Sequence, residues 1–251
     1  MVSPVERIAA DLRRLGVVEG GNLLVHSSLR SLGALPGGAE DAIAGLLAAL
    51  GPEGTLLLPA LSYATVNRGN PVFDAANTPT CVGALPEHFR KRRGTMRSVH
   101  PTHSVCGTGR AAGILLGAHH EDSTPCGKNS PFRKLNELGG QILFLGCGPG
   151  PNTSMHAVEE LVEPEYLFSD HVDYRIVLPD GERRMSVRAH NFKGWGQAYA
   201  RLTGLLDGDA LRTGKVLEAD CHLVDVRAMW EKAYGALKAD PLYFVDKLVQ
   251  G

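Results

Sequence analysis

Hydrophobic and polar positions follow each other along the chain in blocks that predict helices and strands in turn. Ser3 to Glu6 has the residues of a helix capping box, and apolar residues then recur every three or four positions as far as Gly16. An apolar run predicts a buried strand over residues 22–26, followed by an amphipathic helix over 39–50 and a second strand over 54–59. This succession predicts an α/β fold, a single layered domain with a central mixed β-sheet flanked by helices.

The rest of the chain is more irregular. Residues 63–81 are rich in Asn, Pro and Thr and predict a long loop. Further helices are predicted over residues 84–93, 109–120, 130–139, 194–206 and 226–238. Further strands are predicted over residues 141–146 and 215–224, and in a hairpin formed by 174–178 and 184–188. We expect one domain over residues 1–251, with a small excursion near 165–215.

Composition narrows the possible functions. Hydrophobic residues make up 43% of the 251 positions and charged residues 21%, as in ordinary globular proteins, while the net charge of −1 argues against nucleic-acid binding. No apolar run approaches the roughly 18 residues that span a membrane, and the N-terminus has no long apolar core behind a basic start, so we expect no signal peptide. The five cysteines contain no Cys-x-x-Cys pair, which argues against a disulfide framework or a zinc cage. We therefore expect a cytoplasmic protein with no membrane or nucleic-acid partner.

Candidate chemistry centres on residues 152–160, which follow a strand and a Gly/Pro turn. On a helix, His156 lies one turn before Glu159 and Glu160, so that a carboxylate can reach its imidazole. An imidazole held by a carboxylate is a simple general base near neutral pH. The alternative is a partly buried helix histidine beside a solvated acidic face. Six acidic residues and no Lys or Arg occur from Ala157 to Asp173, a pattern that suits either a solvated surface or a cleft for a cationic, amine-bearing substrate.

Other kinds of site have weaker signals. Polar loops at residues 26–33, 100–104 and 125–130 suit anionic oxygens, although neither of the standard nucleotide-binding motifs is present. A catalytic metal on the histidines of the chain is an alternative, but Pro101 interrupts the spacing of His100 and His103, and there is no His-Glu-x-x-His sequence. Cys147 lies between two glycines after a strand, yet a buried, inert thiol is the better interpretation.

Four motifs occur in a fixed order over residues 5–160: Val25 to Leu29, Arg97-Ser98 with 100–105, Pro125 to Pro131, and Asn152 to Glu159. Together they resemble the aminoglycoside 3-N-acetyltransferase family, antibiotic N-acetyltransferases that use acetyl-CoA and do not have the GNAT fold. The resemblance implies direct acetyl transfer from acetyl-CoA to an amine of a cationic substrate such as an aminoglycoside, at position 3 of 2-deoxystreptamine. It implies no metal in the mechanism.

The resemblance also assigns residues. It implies that His156 is the catalytic base and that Glu159 orients it. It implies that coenzyme A is bound by Ser27, Ser28, Leu29 and Ser104, with His100, Val105 and Ser130 as further contacts. We expect a loop amide or hydroxyl near Ser104 or Thr102 to stabilise the oxyanion. Two alternatives stay open: a metal-dependent hydrolase built on His100, His103 and His156, and a non-catalytic relative that binds coenzyme A.

Overall fold

The computed structural model describes residues 2–248. The helices are α1 (Pro4–Leu15), α2 (Ala39–Leu50), α3 (Ala84–Lys91), α4 (Ala112–Leu116), α5 (Pro131–Leu138), α6 (Ser154–Val162) and α7 (Val226–Ala239). The strands are β1 (Asn22–Ser27), β2 (Thr55–Pro59), β3 (Val72–Asp74), β4 (Met96–Arg97), β5 (Val105–Gly109), β6 (Gln141–Leu145), β7 (Phe168–Leu178), β8 (Gly181–His190), β9 (Trp195–Gln197), β10 (Leu211–Val216), β11 (Ala219–Asp225) and β12 (Val245–Lys247).

Seven strands form the central sheet, in the order β10-β11-β6-β1-β2-β5-β4. The three middle strands β6, β1 and β2 are parallel, and the outer strands pair antiparallel. Because β1 and β6 point the same way, the loops after them emerge at one edge of the sheet. Crevices at this carboxyl edge are common ligand sites in α/β folds.

Helices cover both faces of this sheet and each face has its own apolar core. On one face α1, α2 and α3 pack through residues such as Leu12, Leu46 and Phe89. On the other face α4, α5, α6 and α7 pack through residues such as Phe132 and Val158. The predicted α/β fold with a mixed sheet flanked by helices is therefore confirmed.

A second, three-stranded sheet in the order β3-β7-β8 stands beside the carboxyl edge of the main sheet. Its long hairpin β7–β8 turns at Asp180, and Phe73, Tyr174 and Ile176 belong to its small core. The end of this hairpin at His190 reaches α6, because His190 bonds to the carboxylate of Glu160 on that helix. The second sheet therefore supplies one wall of a cleft.

Most of the predicted elements are present, and the exceptions have physical reasons. The capping box of α1 is formed, with the Ser3 side chain accepting from the Glu6 amide. The helix predicted over 109–120 is shorter in the structure: Gly109 ends a strand with a φ of 116°, the helix covers only Ala112–Leu116, and a 3-10 turn follows at His119–Glu121.

Three other predictions were also wrong in detail. The helix over 194–206 is replaced by β9 and a 3-10 segment, because β9 pairs with the distant strand β12. The strand over 215–224 is a hairpin that turns at Leu217, and the loop over 63–81 contains β3. Within residues 2–248 there is no helix whose length and apolar character would let it cross a membrane.

Candidate active site

Helix α6 begins immediately after the loop that follows β6, and its first turn carries His156 to the carboxyl edge of the main sheet. Nδ1 of His156 lies 3.1 Å from Oε2 of Glu159, one helical turn later. Glu159 is fully buried, whereas the His156 side chain keeps 9% of its surface exposed. The predicted contact between this histidine and Glu159 is therefore present, and Nε2 is left for other partners.

Two tyrosines hold the Glu159 carboxylate from the far side. The Tyr166 phenol donates to Oε1 at 2.7 Å, and the Tyr199 phenol donates to Oε2 at 2.7 Å. The Tyr199 oxygen also lies 2.9 Å from Nδ1 of His156. Burial, and then the neighbouring carboxylate, raise the pKa of both phenols, so both stay protonated and remain donors. Glu159 is consequently fixed in one orientation.

Glu160, the next residue, holds a different group. Its carboxylate accepts from the Cys126 amide at 2.8 Å, from the Thr124 hydroxyl at 2.6 Å and from Nε2 of His190 at 2.8 Å. Consecutive residues on a helix point about 100° apart, so the two carboxylates cannot both reach His156. Glu160 therefore binds the loop before α5 and a second histidine.

The rings of His103, His156 and His190 lie close together at this point. Their centroids are separated by 5.7, 5.3 and 5.1 Å. Burial lowers the pKa of His103, and the neighbouring histidines lower it further. Burial also lowers the pKa of His190, against the opposing effect of its hydrogen bond to Glu160, so both rings are neutral near pH 7. His100 lies behind His103, with ring centroids 6.0 Å apart, but is directed to other partners: it is buried, stacks on His119 at 4.7 Å and accepts from the amides of residues 102 and 103. The set His100, His103 and His156 predicted for a hydrolase is therefore not the set that assembles.

A cleft of about 800 Å³ opens above these rings. Its walls come from the loops after β2 and β6 and from the second sheet. The residues with polar side chains that line it include Asn67, Arg68, Thr102, Ser169, Asp170, Asn191, Gln197 and Tyr199. A narrow cavity of about 70 Å³ lies towards the end of β1. Val82, Pro151 and Thr153 line both spaces, so the narrow cavity borders the cleft close to His156.

The sequence profile described as aminoglycoside 3-N-acetyltransferase matches residues 24–238. The chain belongs to this family. It is 31% identical over 240 residues to aminoglycoside N(3)-acetyltransferase IV from Salmonella sp, covering 95% of this chain and 88% of that one. Its fold resembles AAC-IIIb bound to CoASH, with a TM-score of 0.82, 26% identity and coverage of 95% and 97% of the two chains. It also resembles a mutant of AAC(3)-IVa in complex with apramycin, with a TM-score of 0.76, 30% identity and coverage of 96% and 94%.

Within this acetyltransferase, the residues predicted to bind coenzyme A fall into two groups. Ser27 lines the narrow cavity, and its hydroxyl is a buried polar atom with no hydrogen-bond partner among the described residues. Ser28 and Leu29 follow it at the start of a 3-10 turn, where the Ser28 amide donates to the Leu145 carbonyl. These three residues stay predicted ligands at the β1 end of the site.

The other predicted coenzyme A contacts are in the interior. His100, Ser104, Val105 and Ser130 are all fully buried. Ser104 accepts from Arg97 and donates to the Ala60 carbonyl, and Ser130 is the N-cap of α5. Their side chains shape the loops around the cleft, and none of them offers surface to a ligand in this structure. These four residues belong to the motifs that resemble the family, and in this structure they fix the loops around the cleft.

The acidic stretch from Ala157 to Asp173 does not line the cleft as a group. Only Asp170 of its six carboxylates is on the cleft wall, while Glu159 and Glu160 are occupied by the bonds described above. Arg68, which carries the opposite charge, also lines the cleft. The acetyltransferase cleft is therefore less acidic than the sequence pattern indicated.

Sequence reasoning missed Tyr166, Tyr199 and His190. The two tyrosines are 7 and 40 residues from Glu159, and His190 is 30 residues from Glu160. No local pattern marks a contact across such distances. Cys147 lines the narrow cavity, but burial raises the pKa of its thiol to about 11, which leaves little thiolate near pH 7.

Proposed function

We propose that this acetyltransferase moves the acetyl group of acetyl-CoA directly to an amine of an aminoglycoside, at position 3 of the 2-deoxystreptamine ring, with His156 as general base. The observation that supports this most is the hydrogen-bonded set of His156, Glu159 and two phenols at the inner end of a large cleft. Glu159 fixes the imidazole through Nδ1, so the lone pair that takes a proton is on Nε2.

The steps balance without a further reactant. The substrate nitrogen attacks the thioester carbonyl carbon while Nε2 of His156 takes a proton from that nitrogen. The tetrahedral oxyanion then collapses, the carbon–sulfur bond breaks, and the coenzyme A sulfur leaves with the proton that His156 holds. Glu159 stabilises the transient imidazolium.

The oxyanion needs a hydrogen-bond donor. Ser104 was predicted for this role, but its hydroxyl already donates to the Ala60 carbonyl and is buried. Thr102 lines the cleft, although its hydroxyl lies 2.8 Å from Nδ1 of His103. Thr153 is better placed, because it borders both cavities one turn before His156.

The two cavities suit two substrates. The narrow one, lined by Ser27 and Cys147, fits the slender pantetheine arm, which would bring the thioester to Thr153. The wide cleft fits a polycyclic amine, and Asp170, Asn67 and Asn191 supply acceptors for its ammonium and hydroxyl groups. AAC-IIIb bound to CoASH and the AAC(3)-IVa mutant bound to apramycin support both assignments.

A cytoplasmic location and a part in antibiotic resistance extend the proposal. The co-substrate supports the location, since acetyl-CoA is an intracellular metabolite. Five free cysteines agree with a reducing compartment.

A thiol-release assay tests the proposal. The protein is mixed with acetyl-CoA and a panel of aminoglycosides that includes apramycin, and free coenzyme A is measured. We expect release that depends on the aminoglycoside, and a product acetylated at the position 3 amine. Binding of coenzyme A with no release for any amine would instead support a non-catalytic relative. A cysteine acetylated by acetyl-CoA alone would overturn direct transfer.

A further inference from the structure

Three imidazoles from separate parts of the chain meet at the inner end of the cleft. His103 comes from the loop before β5, His156 from α6 and His190 from the last residue of β8. One ring nitrogen of each lies within 4.8 Å of a ring nitrogen of the other two. All three side chains are largely shielded from solvent by the protein, and all three line the cleft. No element of acetyl transfer requires three histidines.

Each of the three rings is oriented by a hydrogen bond at one nitrogen. Nδ1 of His103 lies 2.8 Å from the Thr102 hydroxyl, and Nδ1 of His156 lies 3.1 Å from Glu159. Nε2 of His190 lies 2.8 Å from Glu160, and its Nδ1 is buried with no partner among the described residues. A carboxylate or hydroxyl behind an imidazole is the arrangement found behind metal-binding histidines, because it fixes the ring and its tautomer.

We propose that His103, His156 and His190 form a three-histidine site for a divalent cation such as Zn²⁺, which reversibly inhibits the enzyme. Three imidazole nitrogens are a common zinc ligand set, and the cleft leaves a fourth position for water. The ligands of a tetrahedral zinc lie roughly 3.4 Å apart, given zinc–nitrogen bonds near 2.0–2.1 Å. The three rings therefore move closer together when the cation binds.

The cation is an inhibitor and not a cofactor in this proposal. A metal bond to Nε2 of His156 uses the lone pair that would take the proton from the substrate amine. This inhibitory part rests on the proposed function, whereas cation binding does not. The two can fail separately, because binding is measured without any acetyl transfer.

Titration of the chelator-treated, dialysed protein with Zn²⁺ by calorimetry, and with Co²⁺ by visible absorption, tests the site. We expect one equivalent to bind and the cobalt form to show the intense absorption of tetrahedral coordination. His190→Gln keeps a donor towards Glu160 but removes the ligand, and should weaken binding at least about 100-fold, as should His103→Gln. His120→Ala removes an exposed histidine outside the cluster and should bind Zn²⁺ like the original protein.

Thermal unfolding and coenzyme A binding show whether each variant is folded. Unchanged affinity in both folded glutamine variants would place the cation elsewhere and overturn the site. The same holds if the original protein binds no stoichiometric cation. For activity, we expect Zn²⁺ to inhibit thiol release, a chelator to restore it, and the inhibitory concentration to rise about 100-fold in His190→Gln relative to that variant's own uninhibited rate. Tight Zn²⁺ binding without inhibition would overturn the inhibitory role and leave the site standing.

Discussion

Glu159 and Glu160 are consecutive, buried carboxylates, and each holds a histidine, yet their surroundings differ. Glu159 accepts from two phenols and contacts His156, all of them side chains. Glu160 accepts from the amide of Cys126 and the hydroxyl of Thr124 as well as from His190. Two of the three donors to Glu160 therefore belong to one loop. Glu159 therefore positions the imidazole of His156, whereas Glu160 holds the fold around it.

The largest expected effect comes from removing the imidazole that Glu159 positions. His156→Ala should lower kcat by roughly 10²–10⁴-fold, the contribution of a general base. It should still bind acetyl-CoA, because no predicted coenzyme A contact is altered. Thiol release gives kcat, and calorimetry gives the coenzyme A affinity. Full activity in this variant would remove His156 from the mechanism.

The next largest effect on the rate is expected when each of the two carboxylates is replaced in turn by an amide. Glu159→Gln puts an amide against Nδ1 of His156 and disturbs its tautomer, so we expect kcat to fall about 10²-fold, or about 2.7 kcal/mol. Glu160→Gln is its matched control, with the same change one residue later. It should lower the free energy of unfolding by about 1–3 kcal/mol through the lost buried hydrogen bond, and lower kcat much less.

Thiol release and chemical denaturation measure these two quantities in both variants. A greater loss of rate in Glu160→Gln than in Glu159→Gln would reverse the roles assigned to the pairs.

Acid should lower the stability of the folded chain through a buried histidine near Glu160. His119 is buried near Glu160, with His100 and His120 as its other titratable neighbours. Its Nε2 donates to the Pro125 carbonyl, and its Nδ1 accepts from the Ser98 hydroxyl. Burial lowers its pKa from 6.5 to about 4, against the opposing effects of the Pro125 carbonyl and Glu160. Between these values the unfolded chain binds a proton that the folded chain does not, so stability falls as the pH falls.

The contribution of His119 is about 1.4 kcal/mol per pH unit within that window. Denaturation of the original protein and of His119→Gln at several pH values measures it as the difference between the two slopes. Equal slopes would mean that His119 is protonated alike in the folded and unfolded chains.

The sequence predicts the contact between His156 and Glu159 better than it predicts the residues that surround this pair. His156 and Glu159 lie three residues apart on one helix, so their contact follows from helix geometry alone. Tyr166 lies in the turn before β7, His190 ends β8 and Tyr199 begins the 3-10 segment, and no periodic pattern places these residues beside α6. The long helices α1, α2 and α7 were predicted because their apolar stripes are local. The predicted helix over 194–206 failed because pairing with β12, about 50 residues later, decides that segment.

The smallest expected effect concerns the two phenols behind Glu159. Tyr199 contacts both Oε2 of Glu159 and Nδ1 of His156, whereas Tyr166 contacts only the other carboxylate oxygen. Removal of the hydroxyl in Tyr199→Phe should therefore lower kcat about fivefold, equivalent to about 1 kcal/mol, and Tyr166→Phe should lower it less. The KM for acetyl-CoA should stay the same in both, because neither phenol lines the narrow cavity. If the two variants lost equal rate, the carboxylate and not the imidazole would be what the phenols position, and the contact of Tyr199 with His156 would contribute nothing of its own.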